Sequence, residues 1–181
     1  MAKGVTVSAW VPDVTFWDDE FWKQSGAAAV LLPDRLDGAS GRAYYQEDSA
    51  GIVKAVKHRG GSLAFAFPGD RRDYISEHGA AEVVTHIGFA LVDPLTYDVV
   101  KWLVIAAAMK AGARLGIGPN EENASAPVSV KIARLPTNRQ GGVVAEGIEI
   151  SGTIEEVERT LRAIVEGGSE HGAGTGGTED E

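Results

Sequence analysis

The chain has 181 residues, 44% of them hydrophobic and 24% charged, a length and balance that suit one domain with a single buried core. Its formal net charge of −9 repels phosphate backbones and anionic membranes, and its lack of cysteine excludes disulfides, thiol nucleophiles and Cys-ligated metal centres. Four of the acids lie in 167–181, which holds no Lys or Arg, so the remaining body carries −5, and no cluster in the sequence resembles a basic patch.

The opening MAKGVTVSAWVPD has no apolar segment of signal-peptide length, which points to a cytoplasmic protein. Val5, Val7 and Ala9 alternate there with Thr6, Ser8 and Trp10, the period of a strand, which Pro12-Asp13 ends. TFWDDEFWKQSG reads as a short helix with acids near its start, closed by Gly26. AAAVLLP is a short buried strand, and DRLDGASGRAYYQED, rich in Gly and Asp, reads as loop. Residues 49–58 place Ile52, Val53 and Val56 on one helical face, with Ser49 as the cap and Arg-Gly-Gly as the stop; SLAFAF is the next strand.

Across 73–91, Ala80, Val83, Val84, Ile87 and Leu91 recur at helical spacing, so a helix is expected, with a strand over VVTHIGFALV as the alternative. Asp93-Pro94 starts a further helix running to Ala111. Its apolar stretch, Val99 to Met109, is interrupted by Lys101 and is too short to span a bilayer. After the linker GARLGIGPNEENASAP, VSVKIARL and VVAEGIEISG alternate on either side of the turn PTNRQGG, and Gly147 marks a bulge. Thr153 and Glu156 form a capping box for a helix with Ile154, Val157, Leu161, Ile164 and Val165 on one face, stopped by Gly167-Gly168.

Together these elements predict an α/β or α+β fold: one domain over 1–166, a mixed sheet covered by helices, ending in a β-hairpin and a capped helix. Residues 167–181 lack the apolar surface to fold and are expected to form a disordered acidic tail. The run from DPLTYDVVKWLVIAAAMKAG through the hairpin to TIEEVERTLRAIVEG, residues 94–166, resembles small effector-associated modules of actinobacterial conflict and signalling systems. That resemblance rests on element order and character. It implies a bacterial, noncatalytic module that brings or regulates an effector, with no catalytic residues to carry over.

Candidate sites fall into three groups. FAFPGDRRDYISEHG, residues 65–79, places Asp70, Arg71, Arg72 and Tyr74 just past the end of a strand, where paired arginines could grip an anionic ligand. Pro-Gly-Asp is also ordinary turn chemistry, and that reading is preferred, because nothing else in the sequence specifies a substrate. Phe16, Trp17, Phe21 and Trp22 crowd into one short acidic element. Burial beneath the first strand is the simpler explanation for them, but any that stay exposed would form an anchor site for a protein partner. The apolar helix from Leu95 to Ala111 is either central or shared with a second copy.

The remaining patterns weigh less. On a helix His78, Glu82 and His86 would share one side, but eight residues rise about 12 Å, too far for both histidines to hold one ion. The glycines at 112, 116 and 118 have the wrong spacing for a dinucleotide loop and read as a helix end and loop. Asn120, Glu121, Glu122 and Asn123 read as solvated linker before cation ligands. With no nucleophile elbow, Walker or EF-hand motif, the sequence predicts no catalytic residue, cofactor or metal. The leading expectation is an adaptor for another protein, with no nucleic-acid or membrane partner. A small-molecule enzyme or binding protein and a homo-oligomer subunit built on the Leu95–Ala111 helix are the alternatives.

Overall fold

The computed structural model describes residues 4–10, 24–76, 84–115, 124–136 and 143–169. In chain order they form β1 (Thr6–Ala9), β2 (Ala29–Leu31), β3 (Arg35–Asp37), β4 (Arg42–Gln46), α1 (Ser49–His58), β5 (Leu63–Phe65), β6 (Arg72–Ile75), β7 (Thr85–Leu91), α2 (Tyr97–Leu115), β8 (Pro127–Pro136), β9 (Val143–Thr153) and α3 (Ile154–Ser169). A 3-10 turn, Gly69–Arg71, precedes β6. Six strands make a mixed sheet in the order β1-β9-β8-β7-β2-β5, and β3-β4-β6 make a second, smaller sheet. The fold is α/β, as the element pattern predicts.

The large sheet contains two crossover units. β2 and β5 are parallel across α1, and β7 and β8 are parallel across α2, while β2 and β7 run antiparallel to each other. β9 returns antiparallel to β8, and β1 pairs antiparallel to β9 at the edge. Because α2 packs against both α1 and α3, the three helices lie in one layer on one sheet face. Ile87, Phe89, Leu91, Val128, Val130, Ile132 and Ile150 share one face by register, and all are buried. Burying such a side chain contributes roughly 1.5–3 kcal/mol each. Gly61 lets α1 approach α2: a Cβ there would stand 2.5 Å from Val56 Cγ1 and 2.7 Å from the Trp102 ring.

The apolar breadth of α2 follows from its central position. Val99, Val100, Leu103, Ala106, Ala107 and Ala111 are buried, and Trp102, Val104, Ile105 and Met109 pack against the same core. At α3 the capping box forms as expected: Glu156 N–H donates to Thr153 Oγ1 at 3.2 Å, and Thr153 N–H donates to Glu156 Oε2 at 2.8 Å.

Several elements differ from expectation. Residues 73–91 are not helical where described; they supply β6 and β7, with Thr85, Ile87, Phe89 and Leu91 buried at strand period. β7 is a central strand in which Ala90, on the second face, is buried beside Phe89 and Leu91, so the end of its run loses the strict alternation that marks a strand. The segment read as loop after Pro33 contains β3 and β4, whose turn is built by Asp37, which accepts from Ala39 N–H at 3.0 Å and Ser40 Oγ at 2.6 Å. Asp48, not Ser49, holds the cap position of α1, and Ser49 is buried. α2 begins at Tyr97, where Thr96 Oγ1 accepts from Val99 N–H, and it runs on to Leu115, so Gly112 lies inside the helix. The register shift between β8 and β9 falls at Leu135/Pro136, and Gly147 pairs regularly with Ala133. α3 passes through Gly167 and Gly168 to Ser169. Of the helix expected over TFWDDEFWKQSG only Gln24, Ser25 and Gly26 are described, with Gly26 at φ +64 as a closing residue; its other residues and most of the acidic tail lie outside the described residues.

Candidate functional site

The small sheet stands where the chain leaves the carboxyl ends of the parallel β2–β5 pair, a position at which open α/β sheets bind ligands. The chain exits β2 into β3 and β4, and exits β5 into β6. Ala43 and Tyr45 of β4 share a face with Arg72 and Tyr74 of β6 by register, and the opposite face carries Arg42, Tyr44 and Asp73. Tyr45 is fully buried, and its hydroxyl donates to the Leu31 carbonyl at 3.2 Å. Burial pushes its phenol well above the ordinary tyrosine range. The Phe65 ring meets Tyr45 edge-on at 4.9 Å and Tyr74 at 6.4 Å. Tyr74 remains 46% exposed, so the aromatic group runs from core to surface.

Each arginine around this sheet has its own neighbour. Arg42 grips Asp73 with Nε and with NH2, the latter at 2.6 Å, and its NH1 donates to the Asp70 carbonyl at 3.3 Å. The side-chain hydrogen bond to Arg42 holds the Asp73 carboxyl below its usual range, and the same bond raises Arg42. Arg71 donates through Nε and NH2 to the Gly41 carbonyl at 3.0 and 2.8 Å, clamping the β3–β4 turn. Gly41 has φ +66, and a Cβ there would sit 3.3 Å from Arg71 NH2, so glycine serves both the turn and the clamp. Arg72 stacks 4.2 Å over Phe65, and its buried Nε has no hydrogen-bond partner. An unsatisfied buried donor costs about 1–3 kcal/mol. Asp70 is exposed in the 3-10 turn.

The turn carrying the Arg71-Arg72 pair is thus real, and the two guanidinium groups engage different neighbours, Gly41 and Phe65. The structure adds residues that sequence reading missed: Arg42, Asp73 and the buried Tyr45. The strand that carries Arg42 and Tyr45, RAYYQ, was masked by the Gly- and Asp-rich residues before it, and no local pattern ties Asp73 of β6 to it. A further ion pair, Lys110 to Asp34 at 2.7 Å, ties α2 to the start of β3, and Asp34 also accepts from Gln46 N–H at 3.1 Å. Phe16, Trp17, Phe21 and Trp22 lie outside the described residues, as do His78, Glu82 and residues 120–123. His86 is exposed on β7, so the helical histidine ladder does not hold at that position. Among the described residues no group of three or more His, Asp or Glu is arranged to hold a metal, and no helix is long and apolar enough to cross a membrane.

A second feature is the sheet edge at β1. Thr6 to Ala9 are all exposed, with Val7 at 52% and the adjoining Val5 at 40%. Trp10 N–H donates to the Gly147 carbonyl at 3.0 Å, which makes Trp10–Gly147 a hydrogen-bonded pair of the antiparallel ladder. Such pairs alternate, so Thr6 and Ser8 also bond inward to β9, and Val7 and Ala9 turn their N–H and C=O groups outward. β1 carries neither the lysine nor the proline that commonly blunts an exposed edge.

Comparison with family models, with curated proteins and with solved structures returned no match.

Proposed function

We propose that this protein is a noncatalytic interaction module, accessory to another protein, which it engages by accepting an extended segment as a seventh strand beside β1. The open edge carries this reading: outward main-chain groups at Val7 and Ala9 supply hydrogen bonds, and exposed Val5 and Val7 supply a small apolar strip beside them. The fitting partner segment is extended and alternates apolar with polar residues, so that its apolar side chains continue the strip. β1 is bonded to β9, within the 94–166 region that resembles effector-associated modules, and under that resemblance the captured segment belongs to the effector. The aromatic residues 16–22 follow β1 in sequence and are proposed as a flanking contact.

Two proline variants test it. Val7→Pro removes an outward N–H and leaves the β1–β9 ladder intact, whereas Ser8→Pro removes an inward bond. In affinity purification from the native host, Val7→Pro is expected to keep the melting temperature of the wild type and lose one specific partner that cross-links to residues 5–9. An unchanged set of bound proteins with folded Val7→Pro would contradict the reading.

The buried, unpartnered Nε of Arg72 favours a second reading, an anionic ligand at the small sheet beside Phe65 and Tyr74. Anions should then raise thermal stability, and Arg71→Ala/Arg72→Ala should remove the gain. No stabilisation across a broad panel of anionic metabolites would count against this reading.

A further inference from the structure

The geometry points to an acidic-peptide docking site on α1, distinct from the β1 edge. Lys54, Lys57 and His58 line a shallow, open depression of about 370 Å³ together with Ala50 and Val53, at positions three and four apart on one helical face. Val53 is buried and forms an apolar floor, while Lys54, Lys57 and His58 are exposed at the rim, with Arg59 next in the chain. No acid occurs anywhere in 49–62, and among the described residues no carboxylate forms an ion pair with these cations. A basic group in the last turn of a helix is favoured by the helix dipole, which accounts for Lys57 and His58 but not for Lys54, one turn earlier.

The small extent of the cationic patch on an acidic molecule limits the occupant to a short anionic segment. A chain of net −9 repels a long polyphosphate, whose charges extend beyond so small a cationic patch. A short segment that places two or three carboxylates on the rim and one apolar side chain on the floor gains the local attraction and keeps its remaining length clear of the acidic body. The openness of the depression suits a side chain of a passing peptide better than an enclosed metabolite. α1 packs beside β5, at the sheet edge opposite β1, so the two surfaces are separately testable.

The test titrates the full chain with a fluorescent acidic peptide carrying one central leucine, the same peptide with serine in its place, and a single-stranded oligonucleotide of equal charge. The leucine peptide should bind tightest and shift NMR signals of residues 50–58. Lys54→Gln/Lys57→Gln, both at exposed positions, should weaken it about tenfold or more with an unchanged melting temperature. Val7→Pro should bind the peptide as the wild type does. The proposal is overturned if the peptide does not bind, if the double variant binds equally, if the serine peptide matches the leucine peptide, or if the oligonucleotide binds as tightly.

Discussion

Asp37 and Asp73 both hold their carboxyls below the ordinary range, Asp37 through the Ser40 hydroxyl and the Ala39 N–H, and Asp73 through Arg42. A carboxylate whose folded pKa is depressed adds stability that is present above its unfolded pKa and is lost as pH falls through the folded value. Both sit in the small sheet, so this sheet should loosen first in acid, below about pH 4. Thermal melts from pH 2 to 7 should show a declining acid limb that Asp73→Asn makes shallower; an unchanged limb would mean that the Arg42 contact contributes nothing. At the alkaline end the sign reverses. The Tyr45 phenol is raised by burial, and that of Tyr97 by its hydrogen bond to Glu166, so their contribution is complete below the unfolded tyrosine pKa and declines as pH rises beyond about 10. Lys110 is a third case, its side chain only 4% exposed beside the partly exposed Asp34. Lys110→Met leaves Asp34 without its cation and should cost about 3 kcal/mol in chemical denaturation, the lower end for a broken buried pair because Asp34 keeps water and the Gln46 N–H.

At the level of elements, legibility followed how local the determinants are. β8, β9 and α3 could be read because alternation, turn residues and the Thr153–Glu156 box are all written within a few residues of the structure they specify. Thr153→Ala should destabilise the protein by about 1 kcal/mol, measured by denaturant midpoint. β7 defeated the periodicity because Ala90 is buried beside the alternating Ile87, Phe89 and Leu91, which blurs the period of two, and β3 and β4 because short strands joined by a Gly- and Asp-rich turn look like loop. The Arg42–Asp73 pair joins residues 31 apart, and no local pattern announces it. The basic face of α1 was missed, since the sequence was read as holding no basic patch: Lys54, Lys57, His58 and Arg59 are interrupted by apolar residues and gather only once the helix shows which of them share a side. For the β3–β4 turn, Gly41→Ala should cost about 1 kcal/mol or more, because L residues resist positive φ and the new methyl meets Arg71.

For the whole molecule, strand order is the property that sequence periodicity does not carry. Which strand lies at the edge depends on pairings such as Thr6 with Ser151, 145 residues away, so VTVSAW reads as a strand without revealing that among the described residues it has a strand neighbour on one side only. The resulting architecture has a helical layer on one face, a small arginine- and tyrosine-bearing sheet at the end of β2 and β5, and an uncharged edge at β1. That edge gives the proposed adaptor role its physical basis, since an unpaired row of peptide groups binds another strand without any change in fold. The most direct measurement is residue-resolved amide exchange by NMR over residues 5–10, in the free protein and with its captured partner. The free protein should protect Thr6, Ser8 and Trp10 while Val7 and Ala9 exchange rapidly, and the partner should slow Val7 and Ala9. If Val7 and Ala9 are protected in the free protein, or still exchange rapidly in the complex, strand addition at β1 is wrong.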